Sequence, residues 1–472
     1  MRDPFTGVPQ LPWTRHHAVR GYLDLVEETL DGDVRWTLNV SGALIDQLVH
    51  YASGGSDPQL DLLSRPWDSW TPIERRELTR FAAMGPPSLT RSVSALRARA
   101  DAGEVLGGRD VRDLAVGAAL GWMGRAARRL EPEVDRIGEP PYDDRAQTWV
   151  VGAQKRLLKH LVGRMAQLGA TGVGLAASPH DHPILPLLID TASARRALPD
   201  VPDVGYRRPE DALRALVRGR ATASNAMGRD VRGCWPSEGA ISPEASELIG
   251  AAGFKWWVSC GEVAAKSRFA GTAFGRPAAA PGGVAGFFRN QGASNWLSFD
   301  AVRLSPSDAI DGLVARMHAG HDVVALDGEN PWEGYDDAGA GLRDALRERF
   351  AGQLDTFDER VAAGMVGEVT HLHTGSWIRG DLSVWYGHVD DRVVWTALRA
   401  VRDAIEGAGD EAMGHMDAAL ASDHTWWAGE DHDTPFFEDF MTRLRARLSA
   451  ACAAAGVAVP REAQVSLSRR LA

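Results

Sequence analysis

Apolar positions along this chain fall into two rhythms. Over residues 18–30 and 43–51 they recur every three to four positions and predict helices, while 34–40 alternates and predicts a strand between them. The stretch before residue 15 reads as a loop. From about residue 71 to 168 the pattern is helical, including an amphipathic run over 145–168 whose Lys155, Arg156, Lys159 and Arg164 read as a solvated face. The strand–helix alternation then resumes. Strands are expected at 172–177, 254–259, 284–288 and 323–326, and helices at 209–216, from Ser242-Pro243, and from the cap Ser305-Pro306-Ser307-Asp308 to 318. Beyond residue 336 the strand signal fades, and helices are expected at 342–363, 391–406, 410–420 and 435–455. This order predicts an α/β fold: a barrel or parallel sheet over 1–340 with a helical insertion at about 60–168, and a helical domain over 341–472 that contributes to the cleft. Parallel sheets and barrels bind ligands at the C-terminal ends of their strands.

One of those strand ends, and one further turn, carry chemistry. Residues 322–335 read DVVALDGENPWEGY, an apolar run that delivers Asp327 and Glu329 onto a Gly- and Pro-broken loop with Trp332 and Tyr335. Residues 233–239 read GCWPSEG and place Glu238 beside Trp235 on a similar turn. An acid in such a loop, taken alone, is most often a turn residue or a helix cap. Two of them fit glycoside cleavage, in which one carboxyl protonates the leaving oxygen and the other attacks or activates water. An indole adds a flat apolar face for the C–H side of a sugar ring.

Other loops bear on the same reading. Residues 178–186, SPHDHPILP, form a proline-stiffened loop in which His180, Asp181 and His182 are candidate metal ligands. His182 reads better as a group that orients the nucleophile or a sugar hydroxyl. Two further loops, GSWIRGDLSVWYGH over 375–388 and DHTWWAG over 423–429, present Trp377, Trp385 and Trp426, which are read as packing or as sugar contacts.

Composition narrows the class. A net charge of −11 over 472 residues is the opposite of a nucleic-acid surface. No run of ~18 apolar residues exists to cross a membrane, and no signal-type apolar core opens the sequence. The three cysteines, Cys234, Cys260 and Cys452, form no disulfide framework, so a cytoplasmic location is expected. The 16 tryptophans, against 6 tyrosines, gather near the candidate loops and favour a carbohydrate ligand.

With RDPFTGVPQLPWTRHHA, SPHDHPILPLLID, GCWPSEGAISPE, LDGENPWEGY and GSWIRGDLSVWYGH in one order, the chain resembles glycoside hydrolase family 57 over nearly its whole length, in particular the amylopullulanase and α-amylase branch. The resemblance implies a distorted (β/α)7-type barrel followed by an α-helical bundle, and retaining chemistry on an α-glucan or maltooligosaccharide such as those of glycogen, with no cofactor and no metal. Glu238 then stands where the family has its nucleophile and Asp327 where it has its general acid/base. A retaining pair stands about 5–5.5 Å apart. His182 and Glu329 would line the cleft, and Trp235, Trp332, Trp377, Trp385 and Trp426 would contact glucose units.

The sequence departs from the family at several positions. The family opens with a His-Gln-Pro strand just before the stretch matched here by MRDP; that strand is expected upstream of Met1, the alternative being a protein that lacks it and its histidine. Gly174 replaces a Glu, Gly261-Glu262 an Asp-Glu, Arg289-Asn290 an Arg-Asp, and 424–428 an aromatic-rich run. Three alternatives therefore stand beside the hydrolase: a 4-α-glucanotransferase or branching-type transferase, a glucan-binding relative with impaired catalysis, and a metal-dependent hydrolase using His180, His182, His371 or His373. Hydrolase and transferase share one intermediate and differ only in the acceptor.

Overall fold

The computed structural model describes residues 3, 6–32, 35–271, 275–318, 322–329 and 332–467. Eight strands form one sheet in the order β1-β2-β3-β4-β7-β6-β8-β5. They are β1 (Thr37–Ser41), β2 (Gly174–Ser178), β3 (Gly233–Cys234), β4 (Trp256–Cys260), β5 (Arg268–Gly271), β6 (Ala278–Ala280), β7 (Val284–Arg289) and β8 (Gly367–His371). The pairs β1–β2, β2–β3, β3–β4 and β4–β7 are parallel, which helical crossovers between successive strands allow. The architecture is the distorted (β/α)7-type barrel with a C-terminal helical bundle. Val34, expected to open the first strand, lies outside the described residues, as do four of the first five residues of the expected N-terminal loop.

β2, β4 and β7 are buried along their full length, as parallel strands covered on both faces must be. Neighbouring tryptophans on β4 point to opposite sides. Trp256 packs inward with Ala176, Val258, Ala285, Phe287 and Val323, and Trp257 packs outward into the large core shared with the helices. Gly233 on β3 makes room for this, since a Cβ there would stand 2.0 Å from the Trp256 ring.

The helices follow their sequence signals. Pro209–Met227 has proline in its first turn and ends at Gly228 with φ 68, the left-handed stop that glycine takes without strain. It runs well past the expected residue 216 because Ala223 and Met227 continue its buried face. The long helix Asp144–Met165 matches the amphipathic run and is capped by the Asp143 side chain. The first helix is one rod made of Trp13–His17, a π-helical segment Ala18–Tyr22, and Leu23–Asp31.

Three expectations are corrected. Val323–Leu326 is extended but forms no strand: the Asn290 N–H donates to the Val323 carbonyl at 2.7 Å, and the Ala325 N–H turns to the Ser294 hydroxyl at 3.2 Å. The expected helix over 342–363 is two, Ala340–Arg349 and Phe357–Ala362, separated by Gly352 at φ 67 and a Thr356 capping box. Strand structure also persists past residue 336, because β8 joins β5 and β6 before Val389–Ala404, Asp410–Ala419 and Phe437–Ala454 build the bundle.

Candidate active site

Glu238 sits just beyond β3, in the tight turn Ser237–Gly239, with φ 59 and ψ 23. That left-handed backbone disfavours side chains with a Cβ, and it turns the carboxylate toward the strand ends. Trp377 holds the turn at two points. Its backbone N–H donates to the Glu238 carbonyl at 3.1 Å, and its indole N–H donates to Glu238 Oε2 at 2.9 Å. The loop carrying Trp377 is itself anchored by paired backbone bonds between Ile241 and Gly375, at 2.9 and 3.1 Å, and by the Cys260 thiol on the Ser376 carbonyl. Trp235 meets Trp377 edge to face, with ring centroids 5.3 Å apart.

His182 arrives from the loop after β2, also in a left-handed conformation with φ 62. Its Nδ1 is 2.9 Å from the Ser422 hydroxyl and 3.9 Å from Glu238 Oε1, and the Ser422 N–H donates to the His182 carbonyl at 3.1 Å. The C-terminal bundle therefore fixes this imidazole. Burial holds its pKa below the ordinary histidine value, so the ring is neutral near pH 7.

Asp327 and Glu329 enter from the 322–327 segment and the turn after it. Both line a cavity of about 610 Å³ together with Trp235 and His182. The Tyr22 hydroxyl donates to Glu329 Oε1 at 2.6 Å and ties that acid to the first helix. Burial first, and then the charge of Asp327, push the Glu238 carboxyl up to about 8; Asp423 and Glu329 add smaller repulsions, and the Trp377 hydrogen bond opposes them. Asp327, Glu329 and Asp423 line the cavity, and their charges converge on Glu238. The cavity continues along β1, where Leu38, Val40 and Ser41 line it, toward an apolar end at Leu161, Met165 and Met227.

Six of the nine expected residues are placed together: Glu238, Asp327, His182, Trp235, Glu329 and Trp377. The other three are not. Trp332 is 6% exposed in a small core with Leu297, Ile310 and Leu342, with the Arg343 guanidinium 4.9 Å over its ring. Trp385 is fully buried, and its carbonyl accepts from the Trp395 indole at 3.0 Å. Trp426 has one face covered by His432 at 3.9 Å and lies in the helix Asp423–Ala428, a segment expected to be loop. Packing has taken the surfaces of Trp332 and Trp385 and one face of the half-buried Trp426.

The sequence reading missed Asp423, Ser422, His17 and Tyr22. Asp423 stands three residues before Trp426-Trp427 and carries no signal of its own, and His17 and Tyr22, which line the cavity, fall beside and within the expected helix 18–30, where nothing sets them apart from packing residues. The metal reading loses its ligands to other contacts. His180 Nδ1 is 2.9 Å from Asp181 and its Nε2 3.4 Å from Asp46, away from the Ser422 partner of His182. Among the described residues no group of three or more His, Cys, Asp or Glu side chains converges as a metal site.

The model of glycosyl hydrolase family 57 matches residues 119–357, about half of the chain. The chain belongs to that family. No curated protein sequence matches this family 57 chain. Among solved structures it is similar to the α-amylase AmyC of Thermotoga maritima, at 11% identity and TM-score 0.55 over 94% of this chain and 88% of that one. It is also similar to the family 57 branching enzymes of Pyrococcus horikoshii, at 14% identity and TM-score 0.54 over 96% and 92%, and of Thermococcus kodakaraensis, at 14% identity and TM-score 0.51 over 95% and 86%. At such identities the likeness is one of fold. No helix of the described residues is long and apolar enough to cross a membrane.

Proposed function

We propose that this family 57 protein cleaves or transfers α-glucosidic bonds of α-glucans through a glycosyl-enzyme intermediate, with Glu238 as nucleophile and Asp327 as general acid/base. Three observations support the reading: Trp377 grips Glu238 beside His182, Asp327 lines the same cavity as His182 and Trp235, and its charge is the largest of the neighbouring charges acting on Glu238. The substrate class is taken from the fold relatives, an α-amylase and two branching enzymes.

In this reading the empty site holds one proton on the pair. The productive form carries it on Asp327 and leaves Glu238 ionised. Glu238 attacks the anomeric carbon, and Asp327 gives its proton to the departing oxygen. Asp327 then takes a proton from water or from a sugar hydroxyl, and the acceptor that reaches the intermediate first decides between hydrolysis and transfer. Trp235 walls the sugar, and the Trp377 N–H offsets the charge that Glu238 must carry before attack.

The test separates the two roles. Glu238→Ala should lose turnover of amylose, and azide should restore it by taking the nucleophile's place and forming the β-glycosyl azide. Asp327→Ala should retain cleavage of a substrate with an activated leaving group while losing amylose. Undiminished amylose turnover in either variant overturns the reading.

One observation favours a second reading, glucan binding without turnover: a Glu238 carboxyl at about 8 is mostly protonated at pH 7, where attack needs it charged. Calorimetric binding of maltoheptaose with no product release over long incubation would select this alternative.

A further inference from the structure

Arg289 ends β7, opposite Cys260 in the register, and is 5% exposed. Its guanidinium carbon lies 4.3 Å over the Trp377 ring, Nη1 donates to the Ala325 carbonyl at 3.0 Å, and Nε donates to Gln291 Oε1 at 3.2 Å. Gln291 in turn donates to the Trp377 carbonyl at 3.2 Å. One buried cation thus touches both the indole that grips Glu238 and the segment that ends in Asp327.

We propose that Arg289 is a positioning residue for the reaction, holding Trp377 against Glu238 and setting the Asp327 segment opposite it. Three features support this. Among the described residues Arg289 forms no ion pair, and its buried guanidinium donates only to neutral acceptors, the Ala325 carbonyl, Gln291 and Asn295. Burial pulls the Arg289 pKa down; the charges of Cys260, then of Asp327, Glu262 and Glu238, and the face of Trp377 oppose it. A cation over an indole also draws electron density from the ring and strengthens its N–H as a donor, here the donor to Oε2 of Glu238. The groups facing Glu238 are then Asp327, Asp423 and Glu329 on the negative side, neutral His182, and Arg289 behind Trp377.

The inference rests on the nucleophile role of Glu238, so its test includes an arm that needs no activity. In melting experiments on the substrate-free protein, the stability gained by Glu238→Gln between pH 5.5 and 8.5 should be larger in an Arg289→Met background than in the parent, because losing the cation makes ionised Glu238 costlier. An equal gain in both backgrounds overturns the electrostatic link even if the enzyme reading stands. In the activity arm, Arg289→Met should lower kcat by about tenfold with little change in KM, and should move the acidic limb of the pH profile upward by about half a unit or more. Arg289→Lys, which keeps the charge without the flat fork, should keep the limb and lose part of kcat. Should Arg289→Met fail to fold, Trp377→Phe, which removes the donor and keeps a ring, should move the same limb. An unmoved limb in every folded variant overturns the proposal.

Discussion

Trp377 binds Glu238 at both ends, indole N–H to carboxylate at 2.9 Å and backbone N–H to carbonyl at 3.1 Å, so a single residue fixes where this acid stands and how its oxygens face. The side-chain bond is the only one of the two that a substitution removes. Trp377→Phe deletes that donor and keeps most of the ring. A hydrogen bond to a charged group contributes about 1.5–3 kcal/mol, so kcat/KM on maltooligosaccharides should fall roughly 10- to 100-fold. A loss under threefold in steady-state assays would show that the bond does not act in the transition state.

The raised carboxyl of Glu238 makes a stability prediction with a definite sign. Between the ordinary glutamate value, near 4.5, and about 8, the unfolded chain releases this proton while the folded chain keeps it, so stability falls as pH rises through that window and levels off above it. Glu238→Gln has no such term. Its melting temperature should exceed the parent's, with a gap that is small at the acidic end and grows to several degrees by the alkaline end, on the order of 5 kcal/mol. Melting curves across the window check this, and a gap independent of pH would refute it.

Trp235 and Trp332 should separate binding from folding. Trp235 is half-buried on the cavity wall, and Trp235→Ala should raise KM several-fold while moving the melting temperature little. Trp332 is packed under Arg343, and Trp332→Ala should cost about 3–5 kcal/mol of stability as an unfilled core position. Parallel kinetics and denaturant titrations of the two variants give the contrast directly.

Arg343 joins the turn that follows the acids to the first helix. It is fully buried and donates to Asp24 at 2.9 Å, to Glu28 at 2.8 Å and to the Ala338 carbonyl at 2.6 Å. Arg343→Ala leaves two carboxylates without their common cation and should destabilise the fold by about 3–5 kcal/mol. Restoring part of that loss with Asp24→Asn in the same chain, measured in a double-mutant cycle, would confirm the pairing.

The sequence made the site legible where its residues carry turn chemistry. Glu238 lies between Pro236 and Gly239 and announced itself as a turn acid, though the two-residue β3 before it gave no strand signal, and Asp327 follows an apolar run and announced itself as a strand-end acid. The same logic misread Val323–Leu326 as a strand, because an apolar run reports burial and says nothing of which backbone partners exist. β8 was missed for the opposite reason: of Gly367–His371 only Val369 is buried, and a strand paired on both sides but with one inward side chain leaves no alternation to read. Trp332 and Trp385 show the limit for single residues. Loop placement marked them as surfaces, and the tertiary packing of Arg343 and Trp395 decided otherwise.

The left-handed conformation of Glu238 has a consequence for how such a protein changes over time. Holding a non-glycine residue there costs roughly 1 kcal/mol or more, and the crowding of acids adds its own penalty. Heat resistance and activity therefore pull this position in opposite directions. Variants screened for survival on heating alone should accumulate glycine, asparagine or glutamine at position 238, and each such gain would remove the carboxylate.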